Sequence, residues 1–182
     1  VTLNSIISQA AVVNATKSLT TTADNIEKTI TNIGTVNLNV GTLAQTITGS
    51  GTTVIDGDVA LNTIISQATV VNTAKSLTTN ADNIGFALTN NGTVNLNGGT
   101  LAQTISGSGT TAIGGDVVLA NNLTNQNIEI TNGSLIANST TDYIGNTNNL
   151  TITNNGILDL SSDDKTINTV AVNNFPIDNS AT

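Results

Sequence analysis

Short stretches of alternating apolar and polar residues recur along the chain, separated by glycine and asparagine. Residues 93–97 place Val94 and Leu96 on one side and polar residues on the other, and Gly98-Gly99 ends the run. Strict alternation over a few residues is typical of half-buried β-strands. The pattern therefore predicts many short strands joined by tight turns, in which Gly and Asn tolerate positive φ angles.

The same pattern predicts strands in several other places. Leu158 and Leu160 form one inward-facing side of residues 157–161. Further short runs occupy residues 86–88, 101–105 and 116–119. Residues 64–84 also fit an amphipathic helix, but clustered Val and Thr are weak helix formers and Asn72 and Asn80 favour turns, so we predict strands.

The chain contains an internal repeat. Residues 5–62 and 63–120 align without a gap, and 42 of the 58 aligned positions are identical. Residues 121–182 form a degenerate third copy in which the offset drifts. Val1-Thr2-Leu3-Asn4 matches Val59-Ala60-Leu61-Asn62, so we expect the chain to be a fragment of a longer array.

A repeat of this length predicts a solenoid, in which each circuit of the chain forms one coil. The unit is too long for one coil and divides into about three coils of roughly 19 residues, stacked in parallel at about 4.8 Å. We predict one all-β unit over residues 1–182, a parallel β-helix of roughly nine or ten coils at that spacing. A two-sheet sandwich does not explain the duplication and usually carries a core aromatic. A β-propeller blade has about 40–45 residues and aromatic or His motifs, neither of which fits this repeat.

The composition fits a thin interior and excludes several functions. Aromatic residues are 2% of the chain and Trp is absent, which suits a narrow tube filled by Val, Ile, Leu and Ala. The net charge is −8 with only four Lys or Arg, so a phosphate-binding surface for nucleic acid is not expected. Without His or Cys, zinc sites and triad catalysis lack their usual groups. We therefore predict no cofactor, no metal, no catalytic residue and no enzyme activity.

The acidic residues are the remaining candidates for a site. Asp56 and Asp58 flank Gly57, Asp163 and Asp164 are adjacent, and Gly114-Gly115-Asp116 partly resembles a calcium-binding repeat. The nine-residue recurrence of that motif is missing. Asp24 and Asp58 recur as Asp82 and Asp116 in the second copy, as structural positions would. We interpret these carboxylates as solvated turn residues.

The threonine pairs and the lysines carry weaker signals. Thr-Thr pairs at residues 20–21, 52–53 and 110–111 recur once per repeat and not once per coil, which an ice-binding lattice would need. Lys17 and Lys75 occupy equivalent positions but are too sparse to form a basic patch.

The strings GTVNLNGGTLAQTISGSGTT (residues 92–111) and TNNLTITNNGILDLSS (residues 147–162) resemble the passenger region of Gram-negative autotransporters. Within that group the chain is most similar to rickettsial surface cell antigens of the outer-membrane protein A and B type. The resemblance implies a right-handed β-helix carried to the bacterial surface by a C-terminal β-barrel that these residues do not include. It also implies tethering to the outer membrane and adhesion to a host-cell surface protein or matrix.

Three functions remain open at the level of sequence. The leading hypothesis is a surface-exposed passenger that acts as an adhesin and virulence factor. The alternative is a structural stalk or surface-layer segment that binds nothing itself. A distant alternative is a polysaccharide-active β-helix enzyme with a carboxylate pair, for which Asp58 and Asp116 would be the residues to test.

Overall fold

The chain folds into parallel strands stacked as a β-solenoid, which confirms the predicted all-β architecture. A computed structural model describes residues 1–124, 126–137, 143–144, 149–160 and 170–172, the last of these by their backbone only. Within these ranges the helical elements are two three-residue 3₁₀ helices, Ala23–Asn25 and Ala81–Asn83.

The strands are short, as the spacing of Gly and Asn predicts. In chain order they are β1 (Ala11–Val13), β2 (Ser18–Thr21), β3 (Ile30–Asn32), β4 (Thr35–Leu43), β5 (Ile47–Thr48), β6 (Thr52–Leu61), β7 (Ala68–Val71), β8 (Ser76–Thr79), β9 (Leu88–Asn90), β10 (Thr93–Leu96), β11 (Gly99–Leu101), β12 (Ile105–Ser106), β13 (Thr110–Ile113), β14 (Val117–Leu119), β15 (Asn127–Ile130), β16 (Ser134–Ile136), β17 (Asn149–Ile152), β18 (Ile157–Asp159) and β19 (Val170–Val172).

The parallel pairing arranges these strands on three faces. The first face contains β2, the first halves of β4 and β6, then β7, β9 and β12. The second face contains the second halves of β4 and β6, then β8, β10, β13, β15, β17 and β19. The third face begins with β1, β3 and β5 and ends with β11, β14, β16 and β18. Between these groups, isolated bridges join Ile47 to Ile65 and Ile65 to Ile84.

The stack has about seven coils, so the prediction of nine or ten is wrong. The count follows from the second face, where eight strands are stacked from β4 to β19 and seven coils connect them. The prediction assumed that every residue of the chain belongs to a coil and that all coils have the same length. Before Val40, the second face is formed by the first 3₁₀ helix and the isolated Ile7–Ile26 bridge instead of paired strands. Near the end one coil is longer than its neighbour, because Asn127 pairs back to Thr110 but forward to Asn149.

The repeat does not contain a whole number of coils. On the second face, three successive pairings carry the chain from Val40 through Asp58 and Ser76 to Thr93. The equivalent of Val40 in the second copy is Gly98, which lies beyond Thr93. The repeat is therefore longer than three coils, and the additional residues carry the chain to the next face. Each element of the first copy therefore recurs one face further round in the second copy: β2 is on the first face, and its equivalent β8 is on the second.

One motif occurs three times and visits all three faces. Val1-Thr2-Leu3 is on the first face, where Thr2 bridges to Thr20. Its equivalent, Val59-Ala60-Leu61, is on the second face, and β14 is on the third. The prediction of about three coils per repeat was close, and the extra third of a coil rotates successive copies around the long axis.

The interior is the thin aliphatic tube that the composition predicts. Aliphatic residues stack on one another from coil to coil, as in the pairs Leu38–Ile55 and Leu43–Leu61. The largest fully buried side chains are Ile30, Leu38, Leu43, Ile47, Ile55, Leu77, Leu88, Leu96, Leu101, Ile105, Ile113 and Leu123. Each coil therefore completes the core of its neighbours.

Most of the predicted local structure is confirmed. Residues 64–84 contain β7 and β8 followed by a single 3₁₀ turn, so the strand prediction is correct. Val94, Leu96, Leu158 and Leu160 all contact the core. Two predictions are wrong in detail: Phe86 is 51% exposed in a loop before β9, and residues 101–105 divide between β11 and β12.

Candidate functional site

The recurring aspartates connect adjacent coils. Asp24 Oδ1 accepts the backbone N–H of Thr42 at 2.9 Å, and Asp82 Oδ1 accepts that of Thr100 at 3.0 Å. Both aspartates lie in a 3₁₀ helix one coil before the strand whose N–H they bind. Because the same bond forms in both copies, this carboxylate has a structural role in the stack.

The other acidic candidates also bind the next coil. Asp58 Oδ1 accepts the Ser76 hydroxyl at 2.7 Å, and Asp56 Oδ1 accepts Asn72 Nδ2 at 3.1 Å. Asp116 Oδ1 accepts both the N–H of Ser134, at 3.0 Å, and its hydroxyl, at 2.8 Å. In the described ranges, no three acidic side chains group as metal ligands. Asp163 and Asp164 lie outside those ranges.

The threonine pairs alternate between the interior and the surface. Thr21, Thr53 and Thr111 are buried, whereas the preceding threonine of each pair is only partly exposed. Each pair therefore contributes one hydroxyl to the surface at most. Lys17 is exposed and Lys75 is partly buried, one face apart because of the rotation between copies.

Each copy contains a buried amide that the sequence patterns above did not predict. Asn90 is fully buried, and its Nδ2 donates to the Thr110 carbonyl at 2.8 Å and to Gln126 Oε1 at 2.8 Å. Asn32 makes the equivalent bonds to Thr52 O at 3.0 Å and Gln67 Oε1 at 3.4 Å. The alternation could have revealed both, because each Asn follows an inward-facing Ile or Leu by two positions.

A surface cleft lies where the second face turns into the third. We call it the amide cleft. It has a volume of about 400 Å³ and is lined by Ala60, Leu61, Asn62, Thr78, Thr79, Asn80, Asn83 and Asn97. Asn62, Asn80 and Asn97 occupy the same corner of three successive coils. The chain therefore stacks three amide side chains at the spacing of the strands, about 4.8 Å.

Hydrogen bonds fix the floor of the amide cleft. Asn83 Nδ2 donates to the Leu61 carbonyl at 3.2 Å, and the Thr79 hydroxyl donates to the Asn80 carbonyl at 3.1 Å. On the rim, Asn62, Asn80 and Asn97 are exposed, and their side-chain amides make no hydrogen bond within the part of the chain that the structure describes. Each amide offers two donors and an acceptor to a bound molecule.

The lining determines which ligands the amide cleft suits. None of its eight lining residues carries a charge or an aromatic ring. Hydrogen bonding of neutral polar groups is therefore the chemistry that it offers. The equivalent residues of the first copy are Asn4, Thr22, Asn25 and Asn39, one face back around the stack. Only Thr22 in place of Asn80 changes the amide set.

No protein-family model matches the chain, and no match was found among curated proteins or solved structures. Among the described residues, no helix is long and apolar enough to cross a membrane.

Proposed function

We propose that the chain is part of the passenger region of a Gram-negative autotransporter and acts as an adhesin in attachment to host cells. In this proposal it is displayed outside the cell, tethered to the outer membrane, and binds a host-cell surface protein or matrix. We also infer that the solenoid is right-handed, because crossovers between parallel strands are right-handed in about 98% of cases.

The amide cleft is the observation that supports attachment. It places three exposed amides without partners among the described residues on one corner of a rigid stack, and most of the same set recurs in the first copy. Since the copies are rotated by one face, the two sets of amides lie on different sides of the solenoid. The solenoid would therefore offer amides to a partner on more than one side.

Binding of the purified chain to host cells and to matrix proteins tests the proposal. We expect saturable binding that is lost in the triple variant Asn62→Ala, Asn80→Ala, Asn97→Ala. The matched control is Asn37→Ala, which removes a partly exposed amide from the first face, away from the cleft. If the wild-type chain binds neither cells nor matrix, the adhesin proposal is wrong. If both variants bind equally well, the amide cleft is not the contact surface.

A structural stalk is the second candidate, and the aspartates favour it. Asp24, Asp58, Asp82 and Asp116 all bind the next coil, so the most regular charged positions serve the stack. Deletion of residues 63–120 distinguishes the two functions. A stalk would lose length and keep the attachment conferred by a distal binder, whereas an adhesin would lose affinity.

A further inference from the structure

Asparagine followed by glycine can deamidate without an enzyme, and the described ranges contain four such steps. In this reaction the deprotonated backbone nitrogen of the glycine attacks the side-chain Cγ of the asparagine, and ammonia leaves. The resulting succinimide adds water at one of its two carbonyls to give aspartate or isoaspartate. The four steps are Asn91-Gly92, Asn97-Gly98, Asn132-Gly133 and Asn155-Gly156.

The fold holds the attacking nitrogen in two of these steps. The N–H of Gly92 donates to Asn90 Oδ1 at 3.0 Å, and the N–H of Gly156 donates to the Thr153 carbonyl at 3.1 Å. The nitrogen must leave this bond before it can turn toward Cγ. Breaking one hydrogen bond of ordinary strength slows a reaction by about twofold to twelvefold.

The other two steps lack this restraint. Within the described ranges, the nitrogens of Gly98 and Gly133 and the side chains of Asn97 and Asn132 make no hydrogen bond. Both asparagines are exposed. Both also lie close to the end of a strand on the second face, since Asn97 directly follows β10 and Asn132 follows Thr131 after β15. These two strands are separated in the stack only by β13.

We propose that Asn97 and Asn132 are sites of spontaneous deamidation in the folded protein. At Asn97 the product puts a carboxylate on the rim of the amide cleft, which otherwise carries no charge. Isoaspartate also adds one carbon to the main chain just before β11, whose residues pair in register with β14. The modification therefore changes both the charge and the backbone path of this corner.

Incubation of the full chain in mildly alkaline buffer, followed by peptide mapping, tests the proposal. We expect Asn97 and Asn132 to deamidate about twofold to twelvefold faster than Asn91 and Asn155. Asn39-Val40 is the matched internal control, because it occupies the position of Asn97-Gly98 in the first copy and has no glycine. It should remain intact.

The same experiment in denaturant shows whether the fold is the cause. The four Asn-Gly steps should then react at similar rates, because the hydrogen bonds that distinguish them are gone. Equal rates in the folded protein, or faster reaction at Asn91 or Asn155, would overturn the proposal. Selectivity that persists in denaturant would also overturn it, because the local sequence would then be the cause.

Discussion

The two copies of the repeat bury the same asparagine in different hydrogen-bonding states. In the second copy, Asn90 Oδ1 accepts the N–H of Gly92 at 3.0 Å. In the first copy, Gly34 donates to the Val13 carbonyl at 3.1 Å instead, and Asn32 Oδ1 has no partner within the described part of the chain. Two sequences that are identical at 42 of 58 positions thus form the same backbone stack but differ in how completely the buried amide is hydrogen-bonded.

The copies also differ where the chain passes from one face to the next. In the first copy, β4 and β6 continue around the corner, whereas the equivalent residues of the second copy divide into β10 and β11, and into β13 and β14. Val40 and Asp56 of the first copy are replaced by Gly98 and Gly114 at these corners. The comparison indicates that a change at a corner interrupts the strand there, whereas a change within a paired strand, such as Val54 to Ala112, leaves the pairing intact.

The largest expected effect comes from the corner glycine that both copies share. A Cβ at Gly115 would overlap the Asn97 carbonyl, as one at Gly57 would overlap the Asn39 carbonyl. We expect Gly115→Ala to destabilise the fold by about 3 kcal/mol, because the main chain must move apart. Gly114→Ala is the matched control, since its Cβ would lie 3.6 Å from the nearest atom, Asn97 Oδ1. Urea unfolding measures both, and equal losses would contradict the close approach.

The buried amides should give the next largest effect and separate the copies. Asn90→Ala leaves the partners of a fully bonded side chain unsatisfied, so we expect a loss of about 2 kcal/mol. Asn32→Ala removes longer bonds and also removes the unpaired Oδ1, so we expect a smaller loss of about 1 kcal/mol. Urea unfolding of both variants checks the difference. A larger loss for Asn32→Ala would show that the two sites are not ranked by their hydrogen bonds.

The aspartates that bind the next coil should behave alike in both copies. Asp82→Ala removes the acceptor for the Thr100 N–H at an exposed position, and Asp24→Ala does the same for Thr42. We expect each to lower the stability by about 1 kcal/mol. Asp82→Asn keeps an oxygen acceptor and should cost less. Thermal unfolding of the three variants measures the effect, and unequal losses for Asp24→Ala and Asp82→Ala would contradict a shared role.

The smallest effect is expected for the partly exposed amides on the paired strands. Asn37 and Asn95 each donate to a threonine hydroxyl one coil earlier, both at 3.2 Å. We expect Asn37→Ala and Asn95→Ala to change stability by no more than about 0.5 kcal/mol, and equally, because water replaces the bond. Thermal unfolding would reveal a larger change if these contacts contributed to the stack.

The sequence was sufficient to predict a parallel stack with a thin aliphatic core. Alternation in segments such as residues 93–97 identified the inward-facing side chains, and the gapless duplication indicated a solenoid. It was not sufficient to give the number of coils or the rotation between copies. Both depend on the length of each corner, where a small difference in length changes the register without changing the apolar pattern.

The candidate site could be predicted only in part. The recurring aspartates lie at corners and in 3₁₀ helices, which is close to the predicted turn positions, but their bonds depend on which residue lies one coil away. The amide cleft needs Asn62, Asn80 and Asn97 to share a corner, and whether they do so depends on the length of each coil. The predicted coil was longer than the two coils that join these residues, so it would have separated them.

The extra third of a coil in each repeat determines the direction, around the long axis of the solenoid, in which the residues of each copy face. Val1-Thr2-Leu3 and its two later equivalents already occupy three sides of the molecule. In an array of such units, equivalent residues would return to the same face of the solenoid after three copies. A partner moving straight along one side would meet the same residues only at every third unit.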